Sequence, residues 1–494
     1  MKTTNRRTAL SGAVALAGSA LFGRAMAAPA QGRPNILLIL ADDWSWQGAE
    51  AVDRLQLHMP NFAQIGRAGM RFTNAFVGSP SCTASRGALL SGRWPWRLEQ
   101  GANLVSVLPR KFPLYTERLE QAGYHVGYSR KGWGPGALEP VGRTRNPAGT
   151  DYPDFDAFLA KRPAGQPFCF WFGTHDPHRP YVKGEGLRNG IDPTTITVPP
   201  YLPDTPQVRA DIADYRFELE RLDREAGELL ARLDRDGELD NTLVVMTGDN
   251  GWPFPRGKAT LYDAGWHVPL AMMWPARIPA GQTSDALVSL VDLAATFLQA
   301  AGAPALPRVD SRSLLPLLTL GRPWPRKYVV GGLERHMDGR AVQGQGYPTR
   351  ALRTATHLYI RNFRPERWPA GDPGRKPATE AELEKSEFAG FADIDAGPTK
   401  AYMATQQGNP AVAPLLELAT GKRPAQELYD VQADPFSLHN LAQDPAHRAL
   451  LVKLDRELMQ VLRASGDPRV LGTGDAFDHY PTYSGPGYGR PEDF

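Results

Sequence analysis

Residues 81–87, Ser-Cys-Thr-Ala-Ser-Arg-Gly, set a cysteine four places ahead of an arginine, where the chain reads as entering a helix over 85–90. An anion held at Cys82 would meet the unsatisfied N–H groups and positive end of that helix, with Arg86 one turn in. Two further pairs, Asp42-Asp43 and Asp249-Asn250, each follow an apolar run. They supply three carboxylates and an amide oxygen, hard ligands of the kind that Ca²⁺ or Mg²⁺ takes. Taken singly, Asp-Asp is a solvated turn, Asp-Asn-Gly an ordinary tight turn, and C-x-A-x-R a short chance pattern. Together, at the ends of buried strands, they read as a metal site, because adjacent aspartates there repel unless a cation neutralises them. Cys82 is the mismatched member. A thiolate is a soft ligand, so if position 82 reaches such an ion it is not used as a thiol.

These residues must be brought together by the elements that carry them. Residues 35–40 form a continuous apolar run, the signature of a strand buried on both faces, and they end at Asp42-Asp43. Strands read over 124–128, 168–172 and 243–246 end at Arg130-Lys131, at His175 and His178, and at Asp249-Asn250. Ligands of open α/β sheets bind at that carboxyl edge. Between the strands lie helical patterns, the longest running from Asp204-Thr205-Pro206 to Gly237 with apolar residues from Ile212 to Leu233 on one face. Alternation of this kind predicts an α/β fold: a mostly parallel central sheet sandwiched by helices. We expect this catalytic part over 33–345 and a smaller C-terminal α+β domain over 346–494. The latter would hold adjoining strands at 350–354 and 357–360 and a last amphipathic helix through Leu450 to Leu462. The Pro-, Gly- and charge-rich stretch 364–398 has no period and reads as a long loop.

Composition narrows the setting. Residues 1–27 read as a signal peptide of twin-arginine type: Arg6-Arg7, a mildly apolar run over 9–22, then Ala25-Met26-Ala27. The run is too short and too rich in Gly, Ser and Ala to serve as a stable membrane anchor. Removing that segment removes Lys2, Arg6, Arg7 and Arg24, four positive charges and no acid, and takes the formal charge from +3 to −1. The mature chain therefore offers no global electrostatic case for nucleic acid. A periplasmic or secreted location follows. Of the two cysteines, Cys169 reads as a small hydrophobe in a buried strand, although a Cys82–Cys169 disulfide is also open to the sequence.

In order along the chain, Pro34-Asn35-Ile36 with Asp42-Asp43, the 81–87 segment, Gly248-Asp249-Asn250-Gly251, and Lys258 ahead of Gly265-Trp266-His267-Val268-Pro269 resemble the type I sulfatases. His175-Asp176-Pro177-His178-Arg179, residues 198–262 and Glu427-Leu428-Tyr429-Asp430 most nearly resemble its heparan N-sulfatase branch, the N-sulfoglucosamine sulfohydrolases. The resemblance implies an alkaline phosphatase-like fold. It also implies that a formylglycine-generating enzyme converts Cys82 to formylglycine, whose hydrated aldehyde attacks sulfur. Asp42, Asp43, Asp249, Asn250 and residue 82 would hold Ca²⁺, with Mg²⁺ the less favoured ion. Arg86 would support the hydrate, Lys258 and His178 would bind sulfate oxygens, and His178 would protonate the leaving group. The family usually carries Gly-Lys-x-His after the strand that ends here near Tyr128. This chain has Ser129-Arg130-Lys131-Gly132, so by position Arg130 replaces the lysine and Gly132 the histidine. Lys131 could swing in, and His175 is a candidate substitute for the missing base. Glu334-Arg335-His336 resembles a substrate-contacting region and is expected to recognise the sugar, unless it is an exposed charged loop. The reading is a sulfatase of an N- or O-sulfated glycan, and a homodimer is compatible with it. The alternatives are a phosphoester or phosphonate hydrolase of the same superfamily, and a glycan-binding protein without catalysis.

Overall fold

The computed structural model describes residues 32–46, 57–374 and 378–483; the expected signal peptide lies outside them. The large sheet contains β1 (Asn35–Ala41), β2 (Met70–Phe76), β3 (His125–Arg130), β4 (Thr150–Asp151), β5 (Phe168–Gly173), β6 (Thr242–Gly248), β7 (His267–Met273), β8 (Gln282–Ser284) and β9 (Val288–Ser289). Its order is β4-β3-β5-β1-β6-β7-β2-β8, with β9 also on β2. From β4 to β6 the pairs are parallel; β7 runs antiparallel to both β6 and β2. This is the mostly parallel sheet expected.

Strand β1 is buried along its whole length, and the two-residue period divides its side chains between two cores. Ile36, Leu38 and Leu40 join one core, with Leu89 and Leu90 of helix α2 (Cys82–Ser91). Leu37 and Ile39 join the other, with Ile65 of helix α1 (Pro60–Ala68) and Ile212, Leu219 and Leu222 of helix α3 (Pro206–Arg235). Helix α3 starts where its sequence directs: the Thr205 hydroxyl accepts from the Val208 N–H, and Pro206 occupies the first turn, where a missing N–H costs nothing.

A second, antiparallel sheet follows in the order β10 (Val329–Leu333), β11 (Thr349–Arg353), β12 (His357–Asn362), β13 (Gln426–Asp430). Its first strand lies upstream of the 345/346 boundary expected from sequence. Helix α4 (Arg448–Ala464) lays Leu451, Leu454, Leu458 and Leu462 into the core shared with Leu352 and Leu358. The described residues from Arg33 onward form one compact unit. Among the described residues no helix is long and apolar enough to cross a membrane.

Candidate active site

Sheet register brings the acidic pairs together. The parallel pairing of β1 with β6 sets Ala41 opposite Gly248, so the next residues of both strands leave the sheet side by side. The Asp249 N–H donates to the Ala41 carbonyl (3.0 Å), and the Asp43 N–H donates to Asp249 Oδ1 (3.0 Å). Asp43 has φ +77°, a left-handed turn that aspartate tolerates better than most residues, and its carbonyl accepts from the Tyr215 hydroxyl of α3 (3.2 Å).

Helix α2 begins at Cys82 itself, three residues earlier than the sequence pattern suggested, with Ser81 extended before it. Position 82 is thereby the first helical residue, and its Sγ lies 3.6 Å from Asp42 Oδ1, 4.0 Å from Asp43 Oδ1 and 3.6 Å from Asn250 Nδ2. Asp42, Asp43, Cys82 and Asp249 each offer a ligand atom within 4.8 Å of the others. Both cysteines are free and buried, so no disulfide diverts Cys82.

The donor set passes a direct test for a hard cation. Asn250 gives its Nδ2 to Asp249 Oδ1 (2.6 Å), while its buried Oδ1 has no hydrogen-bond partner. An orphaned amide oxygen beside three buried carboxylates lacks a positive partner. The electrostatics agree. Burial pushes Asp43 well above the usual carboxylate range, helped by the charges of Asp42, Asp395 and Asp249, and Asp249 is also raised by burial. Asp42 goes the other way: against the cost of burial, Lys131, His178 and Arg86 hold it well below that range. Burial pushes the Cys82 thiol up, which keeps it neutral and a poor nucleophile.

Arg86 is fully buried and fully engaged. It donates to Asp249 Oδ2 (2.7 Å), Asp42 Oδ1 (3.4 Å), and the carbonyls of Lys131 (2.9 Å) and Gly132 (2.8 Å). These four bonds fix both acidic pairs and the 131–132 turn at once. Lys258 Nζ sits between Asp43 Oδ2 (2.8 Å) and Asp395 Oδ2 (3.0 Å). His178 directs Nε2 toward Asp43 Oδ2 (3.9 Å) and holds its Nδ1 against the Arg179 carbonyl (2.5 Å). Because that contact requires a donor, Nδ1 carries the proton and Nε2 is bare when the ring is neutral. Burial, then Lys258, lowers His178 to about 4. His175 is exposed at the end of β5, where Asp42, Lys131 and Arg86 are among the charges it feels.

Three expectations need correction. Arg130 does not enter the site. Its backbone turns to φ +62°, and its guanidinium lies over Phe172 (4.8 Å) and forms a bidentate pair with Glu225 (2.7 and 2.8 Å). Lys131 reaches in instead, donating to Asp42 Oδ2. Its carbonyl packs so closely on Gly173 that a Cβ there would lie 1.8 Å away. At Gly132, where the family pattern has histidine, the Asn146 side chain fills the space, 2.6 Å from where a Cβ would stand. That amide is spent on the Trp133 and Ala148 backbone, so it offers no base.

Glu334 and Arg335 are neither an exposed loop nor at the site. Glu334 is buried against Arg350 (2.6 Å) and Arg469 (2.8 Å), and Arg335 donates to the carbonyls of Gly344, Tyr480 and Pro481. Only His336 of the three points to the centre, its Nδ1 2.9 Å from the hydroxyl of Ser81, beside Cys82.

Sequence reading missed Asp395 and Asp393. Both come from the periodless stretch 364–398, which also contains a short helix, Glu380–Lys385. Asp395 completes a second cluster with Asp43 and His178. Asp393 accepts from the Met337 N–H (2.7 Å) and from Arg340 (2.6 Å), beside His336. No spacing signal marks either; only the acids themselves, in a stretch without pattern, could have drawn attention.

A family model described as Sulfatase matches residues 34–136 and 150–303. The chain is 28% identical to the N-sulphoglucosamine sulphohydrolase of Homo sapiens over 487 residues, 88% of this chain and 91% of that one. It is 27% identical to an ulvan-active sulfatase of Formosa agariphila over 448 residues, 88% and 81% of the two chains. Among solved structures, a protein in complex with its substrate D-glucosamine-2-N,6-O-disulfate superposes with TM-score 0.63 at 17% identity, covering 88% of this chain and 98% of that one. A phosphonate monoester hydrolase from Silicibacter pomeroyi gives 0.64 at 18%, covering 88% and 96%. These two structures share its fold.

Proposed function

The chain belongs to the sulfatase family, and from that premise we propose that it removes sulfate from an amino-sugar-containing glycan, with position 82 as formylglycine and a Ca²⁺ ion between the two acidic pairs. The convergence of Asp42, Asp43, Asp249 and the unpartnered Asn250 oxygen on residue 82 carries this reading. When bound, the cation would supply positive charge to a sulfuryl oxygen and acidify a neighbouring hydroxyl. Formylglycine would supply that hydroxyl in its hydrate, in place of a soft, neutral thiol.

The remaining work falls to the chain's own side chains. Lys258 and Lys131 present ammonium groups from two sides of the centre and orient the anionic end of the substrate. Arg86, wholly engaged by protein acceptors, is a positioning residue that keeps Asp42 and Asp249 at bonding distance. His178 Nε2 is the atom placed to give a proton to the leaving group. In the neutral ring that atom is bare, so it must take up the proton as the substrate's negative charge enters. His175, exposed at the mouth, is the titratable group left to act where the usual histidine is replaced by Gly132. His336, with Asp393 and Asp395 near it, forms the wall against which the sugar would lie.

The likeness to a relative named N-sulphoglucosamine sulphohydrolase favours a sulfated glucosamine substrate. Export by the twin-arginine route to the periplasm, after conversion of Cys82 by a formylglycine-generating enzyme, completes the proposal. Two measurements test it. The peptide spanning residue 82, from the native host, should be about 18 Da lighter than its cysteine form. The protein should release sulfate from sulfated glucosamine and from an aryl sulfate faster than phosphate from an aryl phosphate. An unmodified cysteine, or faster phosphate release, would overturn it.

A further inference from the structure

At the far end of α2 from Cys82, on the order of 15 Å away by helical rise, lies an open cleft of about 590 Å³ between the segment after that helix and the turn after α4. Its lining is basic. Arg93, Arg97, Lys111 and Arg308 face Glu99 as the one acid among the lining residues. Lys111 pairs with Glu99 (2.5 Å), and Arg97 pairs with Asp310 (2.6 Å), leaving two guanidinium groups without a carboxylate bond. One is exposed Arg308, whose backbone sits at φ +52°, a turn that arginine seldom takes. The other is Arg93, 7% exposed, over the Phe112 ring (5.4 Å), with one bond to the Pro307 carbonyl (2.7 Å) and a buried Nε that has no partner. Burial and the charges of Arg97 and Arg308 lower its pKa, the mark of cations crowded without enough anion. Trp96, tied through Nε1 to the Ser465 hydroxyl (3.0 Å), adds an aromatic edge to the floor.

We propose that this cleft is an auxiliary binding site for an anionic, sulfated segment of a saccharide chain, held by Arg93, Arg308, Arg97 and Lys111. The chemistry required is several spaced negative charges for separated guanidinium groups, with carbohydrate C–H faces against the prolines of the lining. Nucleic acid would also satisfy the charges, but a sulfated saccharide is the anionic polymer that the proposed activity already draws to this chain. The site lies too far from Cys82 to share the reacting sugar. It therefore raises affinity for a polymer without altering chemistry on a small ester. The proposal rests on the sulfated-glycan reading above.

The test uses the full chain carrying Arg308→Glu and Lys111→Glu, both exposed positions, with circular dichroism to verify folding. Binding of a heparin-derived hexasaccharide, its desulfated counterpart and a single-stranded DNA of matched charge is titrated in a Cys82→Ala background. Hydrolysis of an aryl sulfate is measured without that change. We expect the double variant to lose one of two binding events and at least fivefold in overall affinity for the sulfated hexasaccharide, with kcat/KM on the aryl sulfate unchanged. Unchanged hexasaccharide affinity, equal binding of the desulfated sugar, or tighter binding of DNA would each overturn the proposal. If the unaltered chain fails on the aryl sulfate while Arg308-dependent binding persists, the sulfatase reading falls and this site stands.

Discussion

Among the described residues, two clusters of buried charge are built in opposite ways. In one, Glu334 and Asp467 face Arg350 and Arg469, and every carboxylate oxygen accepts from an arginine or a backbone N–H. In the other, Asp42, Asp43, Asp249 and Asp395 outnumber Arg86, Lys131 and Lys258; two of the acids are raised by burial, and an amide oxygen is unpartnered. The first is complete as folded and ties the second sheet to the residues after α4. The second is completed only by something added. Buried charge by itself therefore does not mark a functional site; a shortfall of charge together with an orphaned ligand atom does.

The sharpest break of this contrast is at position 82. Cys82→Ala should lower aryl sulfate turnover by roughly 10⁴-fold or more, while chemical denaturation shows a stability change within about 1 kcal/mol. The balanced cluster should respond in the reverse sense. Arg350→Met strands two carboxylates in the interior and should cost about 3–5 kcal/mol of stability, with the turnover of folded molecules retained. If Arg350→Met instead removes activity from a stable protein, the distinction between the clusters is wrong.

Much of the unbalanced cluster is legible in the sequence because it hangs on strand ends. The apolar runs before Asp42 and Asp249 fix buried neighbouring strands, and parallel register does the rest. Cys82 and Lys258 are legible by motif. Asp395 is not, because it reaches Lys258 from a stretch with neither period nor motif, positioned by tertiary packing alone. Arg130 and Lys131 exchange places because one residue adopts a left-handed turn, which adjacent basic residues do not announce. Glu334 and Arg335 mislead because a charged triplet has the same composition whether it lines a site or locks the second sheet to the chain after α4.

Smaller effects sharpen the comparison further. A divalent cation at a hundred times its Kd should stabilise the protein by about 2.7 kcal/mol, seen as a rise in Tm that a chelator reverses. Asp43 has a folded pKa raised above its unfolded value, so its contribution is present at low pH and is lost as pH rises through the raised pKa. In chelator, stability should fall over that rise, and Asp43→Asn should flatten the fall. The smallest change belongs to Arg130. Its partly exposed pair with Glu225 is worth roughly 0.2–1 kcal/mol, so Arg130→Ala should shift Tm slightly and leave turnover intact; Lys131→Ala should not leave it so.

The most direct measurement is calorimetric titration of Ca²⁺ into chelator-treated protein, with Asp249→Asn, Asn250→Ala and Glu334→Gln alongside. One ion should bind per unaltered chain and per folded Glu334→Gln chain, and binding should be lost or greatly weakened in the other two. A chain that takes up no ion, or one whose uptake is indifferent to Asp249 and Asn250, would contradict the assignment of these residues as a cation site around position 82.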